Sequence, residues 1–135
     1  AGLFSTANDL AILYQMLLNG GEYGDEQYYQ PSTIKEFTTR YSKSTRRGIG
    51  FDMKELDTLR SQNVSERVSD QTFGHLGFTG TCVWVDPVED LVIIILANRT
   101  YPSMNNNKWG RMNARPKIQT AIYNAIIPTA ADNSL

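Results

Sequence analysis

The run Leu91-Val92-Ile93-Ile94-Ile95-Leu96-Ala97 is apolar at every position. A strand of this kind has no face to offer water, so it calls for cover on both sides of its sheet. Just upstream, Thr81-Cys82-Val83-Trp84-Val85 is rich in β-branched and aromatic residues, the composition that suits a pleated, buried surface. Asp86-Pro87-Val88-Glu89-Asp90 between them reads as a turn. The two runs therefore pair most simply as an antiparallel hairpin. The expectation is a central strand, Leu91 to Ala97, with helices on both faces of the sheet.

The flanking sequence supplies those helices. Leu10, Leu13, Tyr14, Leu17 and Leu18 recur at helical spacing. Thr6 and Asp9 form an acidic variant of the capping box at the start, with Asp9 in the first turn where the helix dipole favours a carboxylate. Asn19-Gly20-Gly21 closes the helix. Tyr23 and Tyr28-Tyr29 flank a turn at Gly24-Asp25, a small hairpin, and Pro31 suits the first position of a short helix carrying Ile34 and Phe37. Arg46-Arg47 precede Gly48-Ile49-Gly50-Phe51, read as a short strand whose glycines allow close backbone approach. Residues 54–72 are polar with few apolar anchors and read as a loop or irregular helical turn, and the Asn-rich stretch 98–113 reads as a long loop. Arg115 to Ile127 form a last helix, with Ile118, Ala121, Ile122, Ala125 and Ile126 on one face, and the tail 128–135 is expected to fray. The fold class is α+β, an antiparallel sheet flanked by helices.

Composition removes several functions. Thirteen basic residues stand against 14 acidic ones for a net charge of −1, which argues against a nucleic-acid or anionic-membrane binder. With one Cys, Cys82, there is no internal disulfide and no zinc site; with one His, His75, there is no multi-histidine metal site. Acidic residues are scattered or gathered in the turn at Asp86, Glu89 and Asp90. No metal or cofactor is expected, and no apolar run approaches the roughly 20 residues a membrane span needs. The chain opens Ala1-Gly2-Leu3-Phe4 without an initiator Met or a leader pattern, so its numbering is expected to start inside a longer protein.

Phe73-Gly74-His75-Leu76-Gly77-Phe78-Thr79-Gly80 is the most unusual stretch. Three glycines surround the only histidine just before the strand pair. Such glycines mark places where a ligand or another backbone comes close, and a histidine there can titrate near neutrality or donate a hydrogen bond. A glycine-rich turn with an incidental histidine is the plain alternative, and the residues alone leave the two about equal. Gly74-x-x-Gly77 as the phosphate clamp of a KH module is excluded by the charge balance.

Taken in order, the sequence resembles serine hydrolases of the β-lactamase and penicillin-binding-protein type. The similar pieces are Ala1 to Leu10, the Leu-rich helix ending Asn19-Gly20-Gly21, Gln30-Pro31, Gly48-Ile49-Gly50-Phe51, Gly74-His75-Leu76-Gly77 and the strand pair. The closer resemblance is to the class C β-lactamase-like branch. Asn98-Arg99-Thr100-Tyr101-Pro102-Ser103 and Asn106-Asn107-Lys108 look like a subgroup attached to family 3 glycoside hydrolases. The resemblance covers residues 1 to about 127 and implies the C-terminal portion of a β-lactamase-like catalytic domain.

That family uses a Ser-x-x-Lys nucleophile, a Tyr-x-Asn motif and a third motif, Lys-Thr-Gly or a His-x-Gly variant, on a strand beside the substrate. Carried over, the resemblance gives His75 the first position of the third motif and Gly77 its glycine, leaving room for substrate. Phe78 offers its backbone N–H as one donor of the oxyanion hole. The first two motifs would precede Ala1, so this chain alone is expected to be inactive. Ser32-Thr33-Ile34-Lys35 matches Ser-x-x-Lys as a bare pattern, but in the family it falls on a short surface helix and is not expected to be the nucleophile. Tyr41-Ser42-Lys43 does not complete a Tyr-x-Asn motif. A histidine is mostly neutral at pH 7, so salt-bridge recognition of a β-lactam carboxylate is less expected than ester or peptide substrates. The implied partners are the preceding part of the same domain and an upstream glycoside hydrolase domain, in a periplasmic or secreted protein. The competing reading is a non-catalytic module that dimerises through an exposed sheet edge.

Overall fold

The computed structural model describes residues 2–127. The element order is α1 (Ala7–Leu18), β1 (Glu22–Tyr23), β2 (Glu26–Gln27), α2 (Pro31–Phe37), β3 (Asp52–Met53), β4 (Phe73–Leu76), β5 (Gly80–Asp86), β6 (Leu91–Asn98), α3 (Lys108–Arg111) and α4 (Ala114–Ile126). The expected tail lies outside the described residues. β1 and β2 form a small antiparallel ribbon, and the main sheet runs β3-β4-β5-β6, antiparallel throughout.

The α1 cap forms as its residues imply. Thr6 Oγ1 accepts from the Asp9 N–H (3.2 Å), and the Thr6 N–H donates to Asp9 Oδ2 (3.3 Å). Two of the helix's unpaired donors are thereby satisfied. Pro31 opens α2, where its missing N–H costs nothing.

β5 is the sheet's interior. Cys82, Trp84, Ile93, Val64, Val68 and Tyr123 form one core cluster on the α4 side, with Leu76 and Ile95 against it. Met53, Phe73 and Val85 form a second on the other face, closed by Tyr14, Leu17 and Leu18 of α1. Helices thus cover both faces, as the apolar strands require. β4 lies so close to β5 that a Cβ at Gly74 would sit 2.0 Å from the Val83 carbonyl oxygen and 2.9 Å from the Trp84 Cα, so only glycine fits there.

Four expectations change. β6 is the edge of the sheet among the described residues rather than its centre, and only Ile93 of its apolar run is fully buried, while Leu96 stands 52% exposed. Gly48 to Phe51 is a tight turn, with Gly50 at φ +85° and the Gly48 N–H donating to the Phe51 carbonyl (3.1 Å); the strand begins one residue later, at Asp52. The stretch 98–113 is not all loop but contains α3. The 54–72 segment does carry core anchors, Val64 and Val68, and is held by the buried Asn63 amide between Glu55 N and Met53 O.

α4 turns inward only part of the face its isoleucines mark, with Ile122 packed against the core cluster. Gln119 and Tyr123 are buried, while Ile118 and Ile126 are exposed. The reason is polar. The Gln119 amide oxygen accepts from the Ser65 N–H (2.8 Å), and the Tyr123 hydroxyl donates to Asp86 Oδ2 (2.6 Å). Asp86 is buried, which disfavours its charge, yet hydrogen bonds from Ser69 N–H (2.7 Å), Tyr123 and Val88 N–H (3.1 Å) outweigh this and hold its carboxyl below the ordinary 3.8. Burial, and then the pairing with Asp86, push the Tyr123 phenol far up.

Because the Asp86 carboxylate is favoured by folding, its contribution is complete above the unfolded value of 3.8 and is lost as pH falls below it. Acid unfolding followed by circular dichroism is expected to show that loss below about pH 4, and Asp86→Asn is expected to flatten it.

Candidate active-site wall

The turn from β4 into β5 is a β-turn, Gly77 to Gly80, closed by the Gly80 N–H donating to the Gly77 carbonyl (3.2 Å). Its carbonyls are all engaged. Arg115, in the first turn of α4, donates Nη2 to the Gly77 oxygen (2.7 Å) and the Thr81 oxygen (3.1 Å), and Nε to the Gly80 oxygen (3.0 Å). Arg99, just beyond β6, donates Nε to the Phe78 oxygen (2.8 Å) and its backbone N–H to the Thr79 oxygen (2.7 Å). Its guanidinium also lies 4.7 Å over the Phe78 ring, a favourable cation–π contact. A guanidinium offers five donors in a fixed fork, which lets one side chain gather several carbonyls.

The consequence is polarity. Five consecutive carbonyls are engaged by Arg99, Arg115 and the turn's own N–H groups, while the Phe78 and Thr79 N–H groups have no acceptor among the described residues. Phe78 itself is 68% exposed. The Gly77 N–H is spent on the Thr81 carbonyl (2.8 Å). Glycine at 77 has a local reason as well: a Cβ there would come within 2.0 Å of Thr81 Oγ1.

His75 lies on the α1 side of the sheet, exposed, opposite Val83. Its Nδ1 meets the Leu76 carbonyl oxygen at 2.8 Å and its Nε2 meets Arg47 Nη1 at 3.1 Å. Arg47 in turn stands 3.7 Å from Asp52 Oδ1, and Arg46 donates to the same oxygen at 2.8 Å. Asp52 is 1% exposed. Its charge is therefore paired where an unpaired carboxylate would be costly.

The structure thus brings His75, Gly77 and Phe78 to one strand end. Ser32 and Lys35 are exposed on α2. Among the described residues no cluster of His, Cys, Asp and Glu could hold a metal, and no helix is long and apolar enough to cross a membrane. Cys82, behind the turn, has its thiol pushed up to about 11 by burial, against a smaller opposing pull from Arg115. Sequence reasoning missed Arg47, Arg99 and Arg115. Arginines carry no periodicity, and each reaches a partner far away in the chain.

The Beta-lactamase family model matches residues 1–115. The chain belongs to the beta-lactamase family. Curated relatives include a protein of Escherichia coli K12 named "Putative D-alanyl-D-alanine carboxypeptidase", 35% identical over 128 residues, which are 94% of this chain and 29% of that protein. A protein of the same name from Salmonella gallinarum is 37% identical over 108 residues, 80% of this chain and 25% of that protein. The chain therefore spans less than a third of the length of these relatives. Among solved structures, a beta-lactamase from Mycobacterium bovis superposes with a TM-score of 0.66 at 24% identity, covering 90% of this chain and 44% of that one. It shows the fold: the helices and antiparallel sheet are a portion of a beta-lactamase-like domain.

Arg115→Ala is expected to leave three carbonyls of the turn without their charged donor. A hydrogen bond to a charged group contributes about 1.5–3 kcal/mol, and a loss of that order is expected in urea unfolding. Faster hydrogen exchange at Gly77 to Thr81 would locate it.

Proposed function

We propose that this chain supplies one wall of the active site of a β-lactamase-type serine hydrolase, with the Phe78 N–H as an oxyanion-hole donor. The observation that carries the reading is the turn at 77–81. Two arginines engage its carbonyls, and the Phe78 N–H, beside the third-motif glycine, is one of two left without an acceptor among the described residues, a donor of the kind that stabilises a tetrahedral intermediate. His75 and Gly77 occupy the third motif on the adjoining strand. The reaction is acyl transfer on an ester, amide or peptide. The carboxypeptidase name of the relatives points to peptides ending in D-alanyl-D-alanine, in a periplasmic or secreted protein.

In this reading the nucleophile lies in the part of the relatives that the chain does not span. The isolated chain is then inactive, and a fluorophosphonate probe is expected to leave it unlabelled. Labelling at Ser32, read by peptide mass spectrometry, would overturn this.

Phe78→Pro removes the N–H at a turn position where proline is well tolerated, whereas Phe78→Ala keeps it. In the longer protein that contains this chain, Phe78→Pro is expected to lower kcat about 10²–10³-fold, the usual loss for one oxyanion donor. Phe78→Ala is expected to have a much smaller effect. Equal effects of the two changes would sink the assignment.

A second reading follows from β6, which among the described residues is paired on one side only and carries the half-exposed Leu96. Such an edge is a template for a second strand, and a homodimer formed through it would make the chain an interaction module. Light scattering on the purified chain decides: a dimer favours this reading, a monomer removes it.

A further inference from the structure

Arg115, Gln119 and Tyr123 recur at every fourth position of α4, which places them on one side of the helix. Gln119 and Tyr123 are buried and bond to Ser65 and Asp86. Arg115, one turn earlier, bonds to the turn between β4 and β5. Resting on the hydrolase reading above, we propose that Arg115 is a positioning residue for catalysis. It holds the Gly77–Phe78 peptide so that the Phe78 N–H is fixed in direction and polarised as an oxyanion donor.

A trans peptide is a rigid plane with its C=O and N–H on opposite edges. Whatever grips the Gly77 carbonyl therefore aims the Phe78 N–H. Arg115 Nη2 donates to that carbonyl at 2.7 Å, and the Gly80 N–H is a longer second partner at 3.2 Å. The bond from the charged donor is the stronger of the two. Glycine at 77 sets no side chain against rotation of the plane, so the carbonyl's partners decide its direction. A bond at the carbonyl end also polarises the amide, which strengthens its N–H as a donor.

Arg115 is anchored for that task. Nη2 also meets the Thr81 oxygen (3.1 Å) and Nε meets the Gly80 oxygen (3.0 Å), so one planar fork holds both ends of the turn. Among the described residues Arg115 forms no ion pair, and its charge faces backbone carbonyls rather than a carboxylate. The helix that carries it is tied down one and two turns further on, by Gln119 and Tyr123. The next peptide, Phe78–Thr79, is held at its carbonyl by Arg99 Nε instead (2.8 Å). The two guanidiniums thus act on different planes, and Arg115 is the one that acts on the plane carrying the Phe78 N–H.

The experiment is a double-mutant cycle in the longer protein that contains this chain, with p-nitrophenyl acetate as the substrate. Arg115→Met is expected to lower kcat about tenfold, a share of the roughly 10²–10³-fold lost when an oxyanion donor is removed, and to leave KM within about twofold. In Phe78→Pro, where the N–H is already gone, the same change is expected to cost less than about twofold. Arg115→Lys keeps a cation and is expected to lose less, and it carries the cycle if Arg115→Met does not fold. A second readout needs no turnover. Gly50–Phe51 and Gly77–Phe78 are the two Gly–Phe peptides within residues 1–135. With carbonyl-¹³C glycine and ¹⁵N phenylalanine, the Gly77–Phe78 cross-peak is identified by its loss in Phe78→Pro. It is expected to move in Arg115→Met while the Gly50–Phe51 cross-peak stays. Equal kcat losses in the two backgrounds, a loss confined to KM, or an unmoved Gly77–Phe78 signal would overturn the proposal. A longer protein without acyl-transfer activity would overturn the hydrolase reading and the catalytic role together, whereas turnover with additive losses overturns the role alone.

Discussion

β5 holds the molecule together because it is buried on both faces at once. Trp84 and Cys82 point into the cluster with Tyr123 of α4, while Val85 packs with Phe73 and Met53 beneath α1. The strand on one side of it, β4, is admitted only because Gly74 has no side chain. Interiors at this density do not yield to an added methyl without displacement elsewhere. The turn at 77–81 joins these two strands, so its position inherits the rigidity of the core behind it.

On that base the turn is shaped by charge. A turn exposed to water would leave its carbonyls free to face any direction. Here Arg99, just beyond β6, and Arg115, at the start of α4, take up every carbonyl from Gly77 to Thr81. The N–H groups of Phe78 and Thr79 are left without acceptors among the described residues.

Legibility followed the range of the interaction. The capping box of Thr6 and Asp9, the turn at Gly24-Asp25 and the pairing of the 81–85 and 91–97 runs are local, and each formed where residue type and spacing placed it. The inward face of α4 was not legible, because hydrogen bonds from Gln119 and Tyr123 to Ser65 and Asp86 override the isoleucine stripe. Val64 and Val68 were hidden in a polar stretch whose anchors are buried Asn63 bonds rather than a repeat. His75, Gly77 and Phe78 were singled out only through an ordered family pattern. The arginines around them were not, since nothing in a linear spacing ties position 99 to 78, 115 to 77, or 47 to 75.

Cys82 has a consequence for where such a chain can fold. The thiol is sealed under the sheet and pushed up to about 11, so at neutral pH only about one molecule in ten thousand carries the reactive thiolate. With a single cysteine there is no internal crosslink to form, and with that cysteine sealed there is little to oxidise. The fold can therefore be assembled under reducing conditions and kept under oxidising ones without a change in its covalent structure. Within residues 1–135 no disulfide forms or breaks as the redox potential changes, so none of the contacts of this fold depends on it.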